Sequence, residues 1–195
     1  LNGQIRQGDV VTRQAAVGFA DLRGVTAATA RLETTELLDL LSAFFQQVGQ
    51  AVHEFGGEIL KFMGDGVLFI FPDHEQPTNT CDRALHAVKR LKETVNLHNQ
   101  TKPEQLIRFG CALHFGEVLY GNIGAPSRLD FTVLGQAVNL TSRLESLTGQ
   151  LGEDCLLSAE FAELMSESTL SVGTFTLKGI EQPQVVYGIT PALAD

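Results

Sequence analysis

The segment Gly57 to Phe71, Gly-Glu-Ile-Leu-Lys-Phe-Met-Gly-Asp-Gly-Val-Leu-Phe-Ile-Phe, constrains the fold of this chain more than any other. Two short apolar runs, Ile59 to Met63 and Val67 to Phe71, flank Gly64-Asp65-Gly66, the composition of a tight hairpin between buried strands. Lys61 interrupts the first run, and Asp65 hangs a carboxylate from the turn. An unpaired ammonium is costly to bury, so Lys61 must reach water from an edge strand or face something specific. On the hairpin alone, both readings stand.

The flanking pattern supplies the context. Ala15 to Leu22, with Val17 and Phe19 on one face, reads as a strand ending at Asp21. From Glu33, apolar residues Leu37, Leu41, Phe44, Phe45, Val48, Val52 and Phe55 recur at three- and four-residue steps, an amphipathic helix stopped by Gly56-Gly57. After the loop Pro72 to Pro77, a second helix carries Ala84, Val88, Leu91 and Val95 and runs to about His98. Ile107 to Phe115 and Val118 to Ile123 read as two strands joined at Gly116, followed by a short strand from Phe131 to Leu134.

A third helix spans Gln136 to about Leu147, bounded by Gly135 and Gly149. At about 100° per residue, Ala137, Leu140, Leu144 and Leu147 share one face, while Asn139 and Arg143 lie one turn apart on another. A strand at Cys155 to Leu157, a short helix at Ala159 to Met165, and a closing hairpin of Thr174 to Leu177 with Val185 to Ile189 complete the chain. The order β-α-β-β-α-β followed by further elements is that of an α+β, ferredoxin-like (βαββαβ) core with a C-terminal extension, its helices on one face of the sheet. Residues 1–13 are polar and aperiodic, a tail or linker, leaving 14–195 as one domain.

Composition excludes several classes. A chain of 195 residues with 44% hydrophobic content buries a full core and suits one domain better than two. No apolar run approaches the ~20 residues of a membrane span, so the domain itself is expected to be soluble, cytoplasmic and without membrane contact. The chain starts at Leu1 without Met, which suggests an excised piece whose upstream regulatory domains lie elsewhere, soluble or anchored. Cys81, Cys111 and Cys155 are odd in number and far apart, with no CxxC pair, as expected of reduced thiols. A formal charge of −9 without a Lys/Arg stripe argues against nucleic acid as a partner, and an anionic substrate would need local cations or metal ions.

In the split βαβ arrangement the first strand neighbours the hairpin, so Asp21 and Asp65 converge although they are 44 positions apart. Paired hard oxygen ligands at a strand edge suit Mg²⁺ or Mn²⁺, whose task in phosphoryl chemistry is to clamp attacking and leaving oxygens. Two turn carboxylates capping loops would give the same residues.

Phe19-Ala20-Asp21-Leu22-Arg23-Gly24-Val25-Thr26, Glu58 to Asp65, Arg108 to Gly116, Phe131 to Arg143 and Leu177-Lys178-Gly179 together resemble class III nucleotidyl cyclase catalytic domains. Each motif alone is common; five in order and spacing, covering residues 15 to 190, are specific. The resemblance implies that Asp21, Asp65 and the Leu22 carbonyl hold two Mg²⁺ or Mn²⁺ ions, with Ca²⁺ an alternative at one site. It places Arg108 and Lys178 on the substrate phosphates, and Asn139 and Arg143 on the ribose and the α-phosphate during attack.

Lys61, by the same resemblance, reads the base. Adenine N1 accepts a hydrogen bond from a lysine, whereas guanine N1–H requires an acceptor such as glutamate. Thr132 takes the second base-reading position, where many members carry aspartate. This Lys/Thr pair resembles a bacterial subgroup (class IIIb-like), some of whose members respond to bicarbonate, a candidate activator here. Gln136 replaces the usual Asp or Asn, and Val25 and Leu134 replace larger residues.

The resemblance therefore implies an adenylate cyclase converting ATP to 3′,5′-cyclic AMP and pyrophosphate. It also implies a homodimer with composite sites: Asp21, Asp65 and Arg108 from one chain, with Lys61, Thr132, Asn139, Arg143 and Lys178 from the other. His114 is strand-embedded and reads as a packed core histidine, leaving no evident general base. Guanylate cyclase activity and a catalytically silent nucleotide-binding module are the alternatives; the second would lose a metal aspartate or the Asn/Arg pair, and all are present. Neither the Gly-Gly-Asp/Glu-Glu-Phe turn of diguanylate cyclases nor a GxxxxGK[ST] loop occurs.

Overall fold

A run of small and apolar residues can be buried on both faces, and Val10–Leu22 (β1) contains such a run: Ala15 through Ala20 are all buried. The computed structural model, which describes residues 10–25, 29, 32–74, 76–125 and 128–189, places β1 at the centre of the sheet. Thr34–Glu54 (α1) follows, then Glu58–Met63 (β2), Gly66–Pro72 (β3), Pro77–Thr101 (α2) and Phe109–Ala125 (β4). Arg128–Leu134 (β5), Gln136–Leu151 (α3), Cys155–Ser158 (β6), Ala159–Leu164 (α4), Thr169–Phe175 (β7) and Gln184–Ile189 (β8) complete the order. The sheet runs β2-β3-β1-β4-β6-β8-β7, with β5 paired to β4. Its first four strands have the ferredoxin-like arrangement, antiparallel throughout.

Several sequence expectations are corrected, among them the closing hairpin, whose first strand is Thr169–Phe175 rather than Thr174 to Leu177. β1 begins at Val10, and β4 is one strand rather than two joined at Gly116. These are a single fact, because Val10 to Arg13 pair with Gly121 to Val118 and carry the ladder through the glycine. Residues 10–13 thus belong to the sheet, while 1–9 lie outside the described residues. α3 runs past Gly149 to Leu151 and stops at Gly152, whose φ of 73° is the left-handed conformation that ends helices.

The helices occupy both faces of the sheet, where the element order predicts one. α1 and α2 pack Phe44, Val48, Leu85, Val88 and Leu91 onto Ala16, Ala20, Phe69 and Leu113. On the reverse face, Ala137 of α3 joins Val17 and Phe19, and its Leu140 and Leu144 pack on Ala112 and Leu156. Alternation along β1 makes both faces apolar, so each needs a helix.

Finally, β2 is an edge strand and not a buried one. Phe62 and Met63 are 53% and 40% exposed, and Lys61 is exposed beside them.

Arg83 on α2 fixes the turn from α1 into this hairpin. Its Nη1 donates to the carbonyls of Phe55 and Gly56, both at 3.3 Å, and its Nη2 to that of Pro72 at 3.2 Å, with the guanidinium 5.8 Å from the Phe71 ring centroid. Arg83→Ala leaves these carbonyls unpaired and is expected to cost about 2 kcal/mol. Thermal melts should show Tm lower by about 4–8 °C, with Arg83→Lys recovering only part because lysine lacks the fork.

Candidate active site

The β1–β3 register sets Asp21 opposite Gly66, the residue after Asp65, and Leu22 N donates to the Asp65 carbonyl at 3.2 Å. The turn aspartate and the strand aspartate are therefore neighbours, as their convergence in the sequence reading requires. Burial first, and then the charge of Asp65, raise the Asp21 carboxyl to about 6. Arg108 joins this end of the sheet through its backbone, whose carbonyl accepts from Arg23 N at 2.7 Å.

A third carboxylate, not singled out in the sequence, stands behind the pair. Glu145 of α3 is 8% exposed, and a Cβ at Gly110 would lie 2.8 Å from its Oε1. Gly110 is the β4 partner of Asp21, so only the absence of a side chain there admits the glutamate. Burial, then the Asp21 charge, raise Glu145 to about 7, opposed by Thr148 and Arg23. The signal was available: Glu145 follows Thr141 by four residues on the inward face of α3, where a charge is unusual.

Arg23 is the other residue that sequence reading passed over. Its guanidinium binds the Glu153 carbonyl and lies 3.8 Å from Asp154 Oδ1, which ties the chain after Leu22 to the α3–β6 turn.

Glu145 gives the metal-free protein a defined pH response. Its unfolded-state value is near 4.5, so between that and about 7 the native state holds more protons than the unfolded chain. This contribution to stability is full at low pH and is lost as pH rises toward 7. Glu145→Gln should therefore raise Tm at pH 8 by about 2–12 °C, equivalent to about 1–3 kcal/mol, and give no gain at pH 4. An equal gain at both pH values in thermal melts would remove the electrostatic explanation.

The remaining sequence-derived residues are distributed over the surface. Lys61 pairs with Leu68 across the hairpin, on the face opposite α1 and α2, and β2 lies against β5, the strand of Thr132. Asn139 and Arg143 are exposed one turn apart on α3, and Lys178 is exposed in the β7–β8 turn. Among the described residues, the side chains of Lys61, Arg108, Asn139, Arg143 and Lys178 form no hydrogen bond or ion pair, whereas Lys89, Arg90 and Lys92 are engaged with acids. Uncommitted cations in a chain of charge −9 are what an anionic ligand needs. His114 is buried, its Nδ1 2.8 Å from Ser158 Oγ and 3.6 Å from Glu160 Oε2, a core position as expected.

Among the described residues, no group of three or more His, Cys, Asp or Glu side chains gathers for a metal ion. Asp21 and Asp65 nevertheless fit a hard divalent cation that keeps most of its sites for water and substrate phosphate. Their mutual repulsion, which raises Asp21, is relieved by positive charge between them.

A βαββαβ sheet that brings two carboxylates together at the β1 and β2–β3 ends has the oxygen donors for a hard divalent cation. The chain belongs to the adenylate and guanylate cyclase catalytic domain family, whose profile matches residues 10–190. It is 31% identical over 197 aligned residues to an adenylate cyclase of Anabaena cylindrica, covering 97% of this chain and 38% of that protein. The chain thus spans about two fifths of the length of this relative.

Among solved structures, the adenylyl cyclase CyaB from P. aeruginosa superposes with a TM-score of 0.85 at 26% identity, covering 94% of this chain and 97% of that one. The guanylyl cyclase Cya2 does so at 0.81 and 28%, covering 96% and 98%. Catalytic domains of this class use divalent metal ions and work as dimers on nucleotide substrates. Among the described residues, no helix is long and apolar enough to cross a membrane.

Proposed function

We propose that this domain is an adenylate cyclase that forms 3′,5′-cyclic AMP and pyrophosphate from ATP. The observation that carries the reading is the convergence of Asp21 and Asp65 at one end of the central sheet, within a cyclase-family domain. Asp21, Asp65 and the Leu22 carbonyl would hold two Mg²⁺ or Mn²⁺ ions, which when bound supply charge neutralisation at the attacking and leaving oxygens.

Arg108 holds the triphosphate, a task its planar guanidinium performs with two hydrogen bonds at once. Arg143 neutralises charge on the α-phosphate as the ribose 3′-oxygen attacks in line, and Asn139, one turn away, orients the ribose. Lys178 adds a cation to the phosphates. Lys61 donates to adenine N1, and Thr132 accepts from the exocyclic amine.

The site is composite, built at the interface of a homodimer. An exposed edge carrying Phe62 and Met63, together with Leu119 and Leu134 at 37% and 47% exposure on the β4–β5 ribbon, offers apolar area for a second copy.

The test is to incubate the purified domain with ATP or GTP and Mg²⁺ or Mn²⁺ at several protein concentrations and identify the product by mass. No cyclic nucleotide at concentrations that dimerise the protein would overturn the reading. The likeness to Cya2 makes GTP use the second reading. Lys61→Glu separates the two: ATP turnover should fall by about tenfold or more, the cost of replacing a donor by an acceptor opposite N1. An unchanged ATP/GTP ratio would show that Lys61 does not read the base.

A further inference from the structure

Two of the three thiols are neighbours in space. Cys111 on β4 and Cys155 on β6 are register partners on parallel strands, and both face the α1–α2 core. Adjacent strands lie about 4.8 Å apart, within the about 4.4–6.8 Å over which a disulfide links two Cα atoms. Cys155 stands in the wall of a cavity of about 600 Å³ lined also by Val88, Lys92, Phe109, Asp154 and Glu167. Cys111 lies behind it, fully buried.

We propose that Cys111 and Cys155 are a dithiol–disulfide pair whose closure lowers cyclase turnover. The turnover part rests on the cyclase reading above; the pairing does not. With a peroxide as oxidant, the Cys155 sulfur attacks one peroxide oxygen, the O–O bond breaks, and water leaves with a sulfenic acid on Cys155. The Cys111 sulfur then displaces the sulfenic oxygen as a second water, forming the S–S bond. Two thiols give up two electrons to one peroxide, and both thiol protons end in the two waters. The order follows from position: Cys155 is reached from the cavity, whereas Cys111 lies fully buried behind it, and the neighbouring Cys155 sulfur, and then burial, push the Cys111 thiol up, which makes it a poor first nucleophile.

The pair lies where the α3–β6 turn is fastened to the site. Cys111 N donates to the Asp154 carbonyl at 2.9 Å, and the Glu153–Asp154 turn holds the Arg23 guanidinium. Across β1, Cys111 is opposite Ala20, the residue before Asp21. A bond between the sulfurs most often holds its Cα atoms about 5.5–6 Å apart, wider than the strand spacing, so closure pushes β6 away from β4 at this point and shifts the turn that anchors Arg23.

The experiment treats the whole protein with hydrogen peroxide, alkylates free thiols, and maps peptides without reductant while cyclase turnover is followed. Expected are a Cys111–Cys155 linked peptide lighter by two hydrogens, alkylated Cys81, and a several-fold fall in turnover. Dithiothreitol should reverse both the link and the fall. Cys155→Ala, or Cys155→Ser where the alanine variant folds poorly, should keep its turnover under peroxide. Absence of the linked peptide, or a linked peptide with unchanged turnover, would overturn the proposal. If the reduced protein forms no cyclic nucleotide, the cyclase reading fails, while the linked peptide still decides the pairing.

Discussion

Asp65→Ala is expected to lower cyclic nucleotide formation by at least about a thousandfold, because one carboxylate alone cannot hold the charge that in-line displacement requires. The fold should survive. Asp65 lies in the β2–β3 turn and its carboxyl bears on Asp21 chiefly as repulsion, so its loss relieves the raised Asp21. Metal-free Asp65→Ala protein should therefore melt no lower than the parent near neutral pH, while product mass spectrometry shows the loss of turnover. Retained activity would remove Asp65 from the metal site.

The second large effect is recovery of activity from two inactive proteins. Asp65→Ala and Arg143→Ala should each be silent as homodimers. If the metal aspartates and the α3 pair serve opposite halves of a composite site, a mixed dimer carries one site with every group intact and one that lacks both. Random pairing makes half the dimers mixed, so an equimolar mixture should regain about a quarter of parental turnover. Were Asp65 and Arg143 to serve one site within a single chain, mixing would recover nothing.

The sequence made the core of this fold readable because its helices and strands are strongly periodic. The α1 stripe from Leu37 to Phe55 and the Gly64-Asp65-Gly66 turn stand where periodicity and turn chemistry put them. What periodicity could not supply was each element's environment. β2 has the apolar content of a buried strand, yet it lies at an edge with Phe62 and Met63 exposed, since local composition does not record which strand has one neighbour. Gly116 looked like a joint, but pairing with β1 carried the strand across it, a long-range effect absent from the local segment.

Within the candidate site, Asp21 and Asp65 could be brought together from strand order alone. Glu145 and Arg23 could not, because their relation to the pair depends on the depth of α3 over Gly110 and on the turn after it. The Cys111–Cys155 adjacency was equally hidden, since it follows from a parallel pairing that strand order does not specify.

The pairing of β1 with β3 on one side and β4 on the other bears on how the chain acquires its activity. Asp21 meets Gly66 and Gly110 only when segments far apart in sequence have docked in register, and a slip of one residue would turn its carboxylate to the α1–α2 face. No hairpin of neighbouring residues can assemble the acidic pair in advance. Chain emerging from a ribosome holds no such pair until β3 has come out and folded back, and β1 lacks its second flank until β4 follows. Because loop closure precedes these contacts, assembly of the pair belongs to the slow, non-local stage of folding. Its appearance would report a finished sheet, and divalent-ion protection against proteolysis during refolding would time that event.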